Sequence, residues 1–350
     1  MNDQFFPSQT MKRQQKFLGI VLLALCAGCN TSKDFKTTGS IERLDPALDS
    51  ILSPEAKIEI IAEGFDWCEG PLWIESQHML LFSDVPKNTV YKWTEEKGSE
   101  VYLTPSGYTR DVPRGGETGS NGLLLDKNGN LVLCQHGDRQ LAVMTAPLNA
   151  PKPEFKTIAS QYNKMRFNSP NDAVYHDNAF YMTDPFYGLE KHAEDPLKEI
   201  PFQGVYRISD DGTVQLLIDS LTCPNGIAFF PDGKHFIVAN SDPKKARWYQ
   251  CDLSGPVLIG DEYVMQMAWK IFYDATALEA TEKGLPDGMK IDSKGNIFGT
   301  GPGGVFIFNP EGKLLGKIKL PEASSNCALS PDEKTLYVTN DMYVLRIKLR

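Results

Sequence analysis

The sequence predicts an all-β protein, a six-bladed β-propeller with four-stranded blades whose last blade is closed by the N-terminal strand. Three observations carry that reading. Six similar hairpins begin at Glu69, Asn121, Asn171, Asn225, Asp287 and Asn326, so successive starts lie 52, 50, 54, 62 and 39 residues apart. The 29 glycines and 23 prolines sit between short apolar runs, as in all-β folds. No segment carries a long apolar stripe at helical spacing. A period of about fifty residues with about four strands per unit is the spacing of propeller blades.

Taken in order, residues 1–28 read as a signal peptide rather than fold. Lys12, Arg13 and Lys16 precede the apolar run Phe17–Leu25, and small residues follow in 25-LCAGC-29. Ala27-Gly28-Cys29 resembles the bacterial lipobox, which implies cleavage before Cys29 and lipid attachment to it; an ordinary secretory signal or an internal start site is the alternative. Residues 29–54 then form a lipidated cysteine and a polar tether. The propeller domain follows over 55–350. Its first strand, 56-AKIEIIAE-63, has no hairpin of its own and is expected to complete the last blade, hiding its edge.

The hairpins are 69-EGPLWIESQHMLLFSDV-85, 121-NGLLLDKNGNLVLCQHG-137, 171-NDAVYHDNAFYMTDP-185, 224-PNGIAFFPDGKHFIVAN-240, 287-DGMKIDSKGNIFGTG-301 and 326-NCALSPDEKTLYVTN-340. Each is two apolar strands around a turn, Pro-Asp-Gly in the fourth. A further strand pair follows most of them. The charged segment 187–199 reads as a loop insertion with at most one helical turn. The net charge of −9, with no basic cluster beyond the N-terminus, excludes a nucleic-acid partner. Cys68, Cys134, Cys223, Cys251 and Cys327 show no metal-ligand spacing and read as buried thiols, though whether any pair is open.

The first strand of a blade lines the central channel, and all six hairpins begin on a carboxylate or amide. Singly, each Asn or Asp is an ordinary turn residue, whereas Glu69 is not a turn former. Together, six equivalent positions in a ring should converge on one point. Such a set of oxygen atoms suits a hard cation, and Glu69 and Asp287 would neutralise two positive charges. Calcium is the first expectation; Zn2+, Mn2+ and Mg2+ stay open, zinc disfavoured by the shortage of Cys and His. The returning strands end at Asp84, His136, Asp184, Asn240, Thr300 and Asn340, expected to rim the same pocket a shell further out.

The motifs 69-EGPLW-73, 166-RFNSPND-172, 224-PNGIAF-229 and 286-PDGMKID-292 together resemble the senescence-marker-protein/gluconolactonase/luciferin-regenerating-enzyme-like propellers. The bacterial gluconolactonase branch is the most similar, through 120-SNGLLLD-126, 134-CQHGDR-139, 182-MTDPFYG-188 and 325-SNCALS-330. The resemblance covers about residues 55–350 and implies one divalent cation held by Glu69, Asn171, Asn225 and Asp287, with Asp287 as catalytic base. The animal members run Arg-Phe-Asn straight into the ligand strand; here three further residues intervene. Asn171 is therefore preferred, Asn168 is the alternative, and a substrate role for Arg166 is open. Asn121, His136, Asp184 and Asn326 are expected in substrate or outer contacts, and Phe186 and Tyr187 could cover the mouth.

The expected activity is metal-dependent hydrolysis of a sugar lactone, the cation polarising the carbonyl and Asp287 activating water. Another lactone or a phosphotriester on the same site, or a non-catalytic binding propeller, are the alternatives. The expected partner is a small-molecule lactone, with membrane contact only through the lipid. The expected location is the periplasmic or outer-surface side of a bacterial membrane. Oligomeric state is open.

Overall fold

The computed structural model describes Met1, residues 34–259 and residues 262–350, with side chains described outside 254–266. Apart from Met1, the signal peptide expected over 1–28 and the lipidation expected at Cys29 lie outside the described residues.

Six antiparallel blades are present, each meandering from an innermost to an outermost strand. Blade 1 comprises Cys68–Ile74, Met79–Asp84, Thr89–Thr94 and Gly98–Leu103; blade 2 comprises Ser120–Leu125, Leu131–Gln135, Gln140–Met144 and Phe155–Ala159. Blade 3 comprises Ala173–His176, Ala179–Asp184, Gly204–Ser209 and Val214–Ile218. Blade 4 comprises Pro224–Phe229, His235–Asp242, Lys245–Ile259 and Glu262–Asp274. Its last two strands are 15 and 13 residues long, which accounts for the widest repeat spacing. Blade 5 comprises Met289–Ile291, Ile297–Gly301, Gly304–Phe308 and Leu314–Lys319; blade 6 comprises Ser324–Leu329, Thr335–Asn340, Tyr343–Lys348 and Ile58–Glu63.

The second strand of each blade is buried on both faces, which is why 79-MLLFSD-84 and 335-TLYVTN-340 read as continuous rather than alternating patterns. Their side chains pack between blades. Leu81 and Val90 of blade 1 meet Leu123 and Leu133 of blade 2, and Tyr181 and Val205 of blade 3 meet Phe236 and Val238 of blade 4. Each such side chain removed from water contributes about 1.5–3 kcal/mol. No α-helix occurs among the described residues, and the 187–199 insertion carries only the 3-10 turn His192–Glu194. All five described cysteines are buried free thiols.

Ile58–Glu63 pairs antiparallel with Tyr343–Lys348, from Ile58 opposite Ile347 to Glu63 opposite Tyr343, so the N-terminal strand does close blade 6. The Trp73 and Tyr337 rings stack at 5.4 Å between blades 1 and 6. The tether expected over 29–54 is corrected in its second half. Ser40–Arg43 adds a fifth strand to blade 5, pairing with Leu314–Lys319, and Thr37 bridges to Glu59. A 3-10 turn over Pro46–Ser50 then buries Leu48 and Leu52 against Ile318, Leu320 and Ile347. The polar composition of the segment concealed these two leucines, and a four-residue strand is too short for its alternation to register. The result caps the outer edges of blades 5 and 6, where unpaired N–H and C=O groups would otherwise face solvent.

Candidate active site

The inner strands converge on a cavity of about 340 Å³ at one end of the channel. Glu69, Asn121, Asn171, Asn225 and Asp287 line it, so five of the six predicted ring positions share one site. Glu69, Asn121, Asn171 and Asn225 are buried, and Asp287 is partly open to the cavity. A tight turn brings them this close. At Gly70, whose φ is +51°, a Cβ would meet the Asn121 carbonyl oxygen at 2.2 Å; at Gly226 it would meet the Asp287 carbonyl oxygen at 2.3 Å. The glycine after the polar residue therefore lets neighbouring inner strands approach the axis.

Asn326, the sixth predicted position, is displaced by one residue. Pro224 pairs with Asn240, Cys68 with Asp84 and Ser324 with Asn340, so the position of Asn225 and Glu69 belongs to Ser325 in blade 6. The Gly122 N–H donates to the Asn171 carbonyl, and the Gly288 N–H likewise donates to the Ser325 carbonyl. The Ser325 hydroxyl bonds the Cys68 carbonyl instead of facing the axis. Asn326 lies beside the blade-5 inner strand, its Nδ2 3.4 Å from Glu69 Oε2, and steadies that carboxylate from behind. The same register shift opens blades 1, 2 and 4, and Pro331-Asp332 stands six residues after Ser325 just as Pro231-Asp232 stands six after Asn225, so counting back from the turn also points to Ser325.

The returning-strand residues do not rim the cavity. Asp84, Asp184, Asn240 and Asn340 instead tie down the loop that leads into their own blade's inner strand. Asp84 accepts from the Asp66 and Trp67 N–H groups, Asp184 from those of Asn168 and Ser169 at 2.8 Å each, and Asn240 from Cys223. Asn340 Nδ2 donates to the Glu322 and Ala323 carbonyls, and Thr300 to Gly288 and Ser325. Asp184 is thus an outer support; burial raises its pKa to about 7 against those two backbone donations. Asn168 does not reach the cavity either, since its Nδ2 donates to the Asp184 and Phe202 carbonyls; Asn171 takes the lining position.

His136 is fully buried behind the wall, with Nδ1 3.0 Å from Glu117 Oε2 but out of line for a hydrogen bond. Glu117, not His136, faces the cavity. Glu117 lies in the loop before blade 2, outside the repeat, so no repeat position marked it. Glu279 and Glu282 also line the mouth from an inter-blade connection. Tyr187 reaches the cavity as expected, its hydroxyl donating to the Ser241 carbonyl at 3.0 Å; Phe186 packs on Tyr187 and His192.

The electrostatics are one-sided. Among the described residues five carboxylates line the cavity, and no lysine, arginine or histidine does. Burial, reinforced by Asp172 and Glu117, raises the Glu69 pKa to about 8. Burial and then Glu69, Asp172 and Glu117 push Asp287 well above the ordinary carboxylate range. Asn121 Oδ1, Asn171 Oδ1 and Asp287 Oδ1 are buried without a hydrogen-bond partner. Asn225 spends its Nδ2 on Ser241 Oγ, leaving its oxygen for the cavity. Orphaned oxygens around mutually repelling carboxylates are the donor set of a hard cation. Among the described residues no three His, Cys, Asp or Glu side chains cluster, so a cation here would depend on the amide oxygens.

The chain is similar to known proteins along most of its length. The SMP-30/Gluconolactonase/LRE-like region profile matches residues 67–341. A gluconolactonase of Zymomonas mobilis is 35% identical over 319 residues, covering 90% of this chain and 87% of its own. The structure of a gluconolactonase from Xanthomonas campestris superposes with a TM-score of 0.74 at 25% identity, covering 92% of this chain and 99% of its own. Regucalcin of Pongo abelii is 24% identical, over 81% of this chain and 86% of its own. The chain belongs to the SMP-30/gluconolactonase/LRE-like family.

Proposed function

We propose that the protein hydrolyses a sugar lactone with the help of one divalent cation, calcium first among the candidates, held by Glu69, Asn171, Asn225 and Asp287. It is a hydrolase acting on cyclic esters, the class its gluconolactonase relatives represent. The observation that carries the metal reading is the set of unpartnered amide and carboxylate oxygens turned into one acidic cavity. When bound, the cation would polarise the lactone carbonyl and acidify a nearby water.

The chain's own residues do the rest. Glu69 and Asp287 supply the two negative charges, and Asn171 and Asn225 add neutral oxygens. Asp287 takes the proton of the attacking water, whose oxygen adds to the carbonyl carbon. The ring C–O bond breaks, and the departing ring oxygen takes up that proton to give the hydroxy acid. Asn121 and Glu117 are placed to accept hydrogen bonds from substrate hydroxyls, and Tyr187 forms one side of the mouth. Asp184 and Asn326 act through their neighbours, holding the Asn171 loop and the Glu69 carboxylate.

The test is to strip the purified protein with a chelator and assay lactone opening with and without added calcium. Activity should vanish and return; full activity without metal would end this reading. Asp287→Ala should lose turnover while keeping the fold by circular dichroism. We also propose that the chain is exported and anchored through Cys29. Cys29→Ala should then move it from the membrane fraction to the soluble one.

A further inference from the structure

A second cavity, of about 470 Å³, lies on the other side of the loop that carries Glu117. It differs in character from the acidic channel. Arg110, Arg114, Arg139, Arg166 and Lys191 line it against only Glu190 and Asp195, on a chain whose net charge is −9. Such a local excess of cations needs a reason, because like charges gathered at one place repel.

Two of the five are committed to the framework. Arg139 is buried and donates to the Phe167, Asn168, Arg166 and Leu197 carbonyls, and Arg114 donates to those of Gly115, Gly137 and Gly188. They fix the cavity's walls and add positive field. The other three keep donors in reserve. Arg166 spends only Nη2, on the Asp138 carbonyl at 3.0 Å. Arg110 has Asp138 Oδ1 at 3.7 Å, and Lys191 has no side-chain partner among the described residues. Asp195 is itself engaged, accepting from the Lys191 and Leu197 N–H groups. Burial and then Arg110 push the Arg166 pKa down, while Glu199 and Asp138, the acidic neighbours of these arginines outside the cavity lining, act in the opposite direction. Beside them, Val112 and Leu197 line the same cavity at 69% and 67% exposure, unusual for aliphatic side chains.

We infer that this cavity is a binding site for an organic oxyanion, a carboxylate or phosphate ester on an apolar skeleton, gripped by Arg110, Arg166 and Lys191 and flanked by Val112 and Leu197. Guanidiniums match such oxyanions with paired N–H donors, and the two aliphatic side chains give the skeleton a dry surface. The site explains Arg166, which precedes the Asn171 strand but faces away from the channel. It is independent of the lactonase reading.

The probes are phenyl phosphate, inorganic phosphate and benzoate, titrated calorimetrically into the chelated full chain at low salt. Saturable binding of phenyl phosphate or benzoate, with inorganic phosphate weaker, is expected, and rising salt should loosen it. Whichever aromatic anion binds tighter tells phosphate ester from carboxylate. Arg110→Gln/Lys191→Gln, both on exposed side chains, should weaken binding by roughly tenfold or more, with lactone turnover unchanged. Arg166→Lys should weaken it too, through loss of the planar fork. No saturable heat from any probe would overturn the inference. So would equal affinity in wild type and the double variant, or equal binding of benzyl alcohol.

Discussion

Without a cation, this protein should lose stability as pH rises, through Glu69. Burial first, and Asp172 and Glu117 after it, raise that carboxyl from its ordinary 4.5 to about 8 in the folded state. The folded chain therefore binds the proton more tightly than the unfolded one. The stabilising contribution is fully present below pH 4.5 and is lost as pH climbs through about 8. At about 1.36 kcal/mol per pH unit, the span corresponds to at most about 5 kcal/mol, an upper limit because water can enter around the ionised group. Asp184, raised to about 7, and the raised Asp172 and Asp287 act in the same direction, so the variant Glu69→Gln isolates one contribution. Urea unfolding of the chelated wild type and Glu69→Gln at pH 5 and pH 8 measures it. The wild type should lose several kcal/mol more than the variant between the two, and saturating calcium should erase the difference. Equal losses in both proteins, or a wild type that gains stability at pH 8, would refute the reasoning.

Three further outcomes are expected. Gly226→Ala pushes a methyl against the Asp287 carbonyl, so it should cost about 1–3 kcal/mol in urea unfolding and weaken calcium binding in a calorimetric titration. Asp184→Ala strands two buried N–H groups in the loop before Asn171; a loss of about 1–3 kcal/mol and a lower kcat are expected from unfolding and steady-state assays. Leu48→Ala opens a hole under the N-terminal cap and should cost about 2–5 kcal/mol, read in the same unfolding assay, with KM unchanged because the cap is remote from the channel.

The blade count and the closing strand were legible because each blade needs its own turn chemistry and its own buried second strand, and both recur in the residues. Three cavity-lining positions were legible for the same reason: Glu69, Asn225 and Asp287 each precede a glycine, which lets neighbouring inner strands approach. In blade 6 the polar residue nearest the motif, Asn326, masked the equivalent position, Ser325, which the distance to the Pro331-Asp332 turn does mark. The repeat could not distinguish a side chain that faces the axis from one that turns back to bind its own loop, as Asp184 and Asn240 do. Glu117, Glu279 and Glu282 lie in connections between blades, where no periodicity exists. Leu48 and Leu52 were lost among polar neighbours, since two leucines make no pattern.

The seam between Ile58–Glu63 and Tyr343–Lys348 joins segments from the two extremes of the propeller. All four proposed ligands precede residue 288, yet the ring that aims them is completed only by the last strand. A chain cut short by a premature stop would carry every ligand and assemble no site. Loss of Tyr343–Lys348 would leave Ile58–Glu63 without its partner and expose the unpaired N–H and C=O groups of two strand edges.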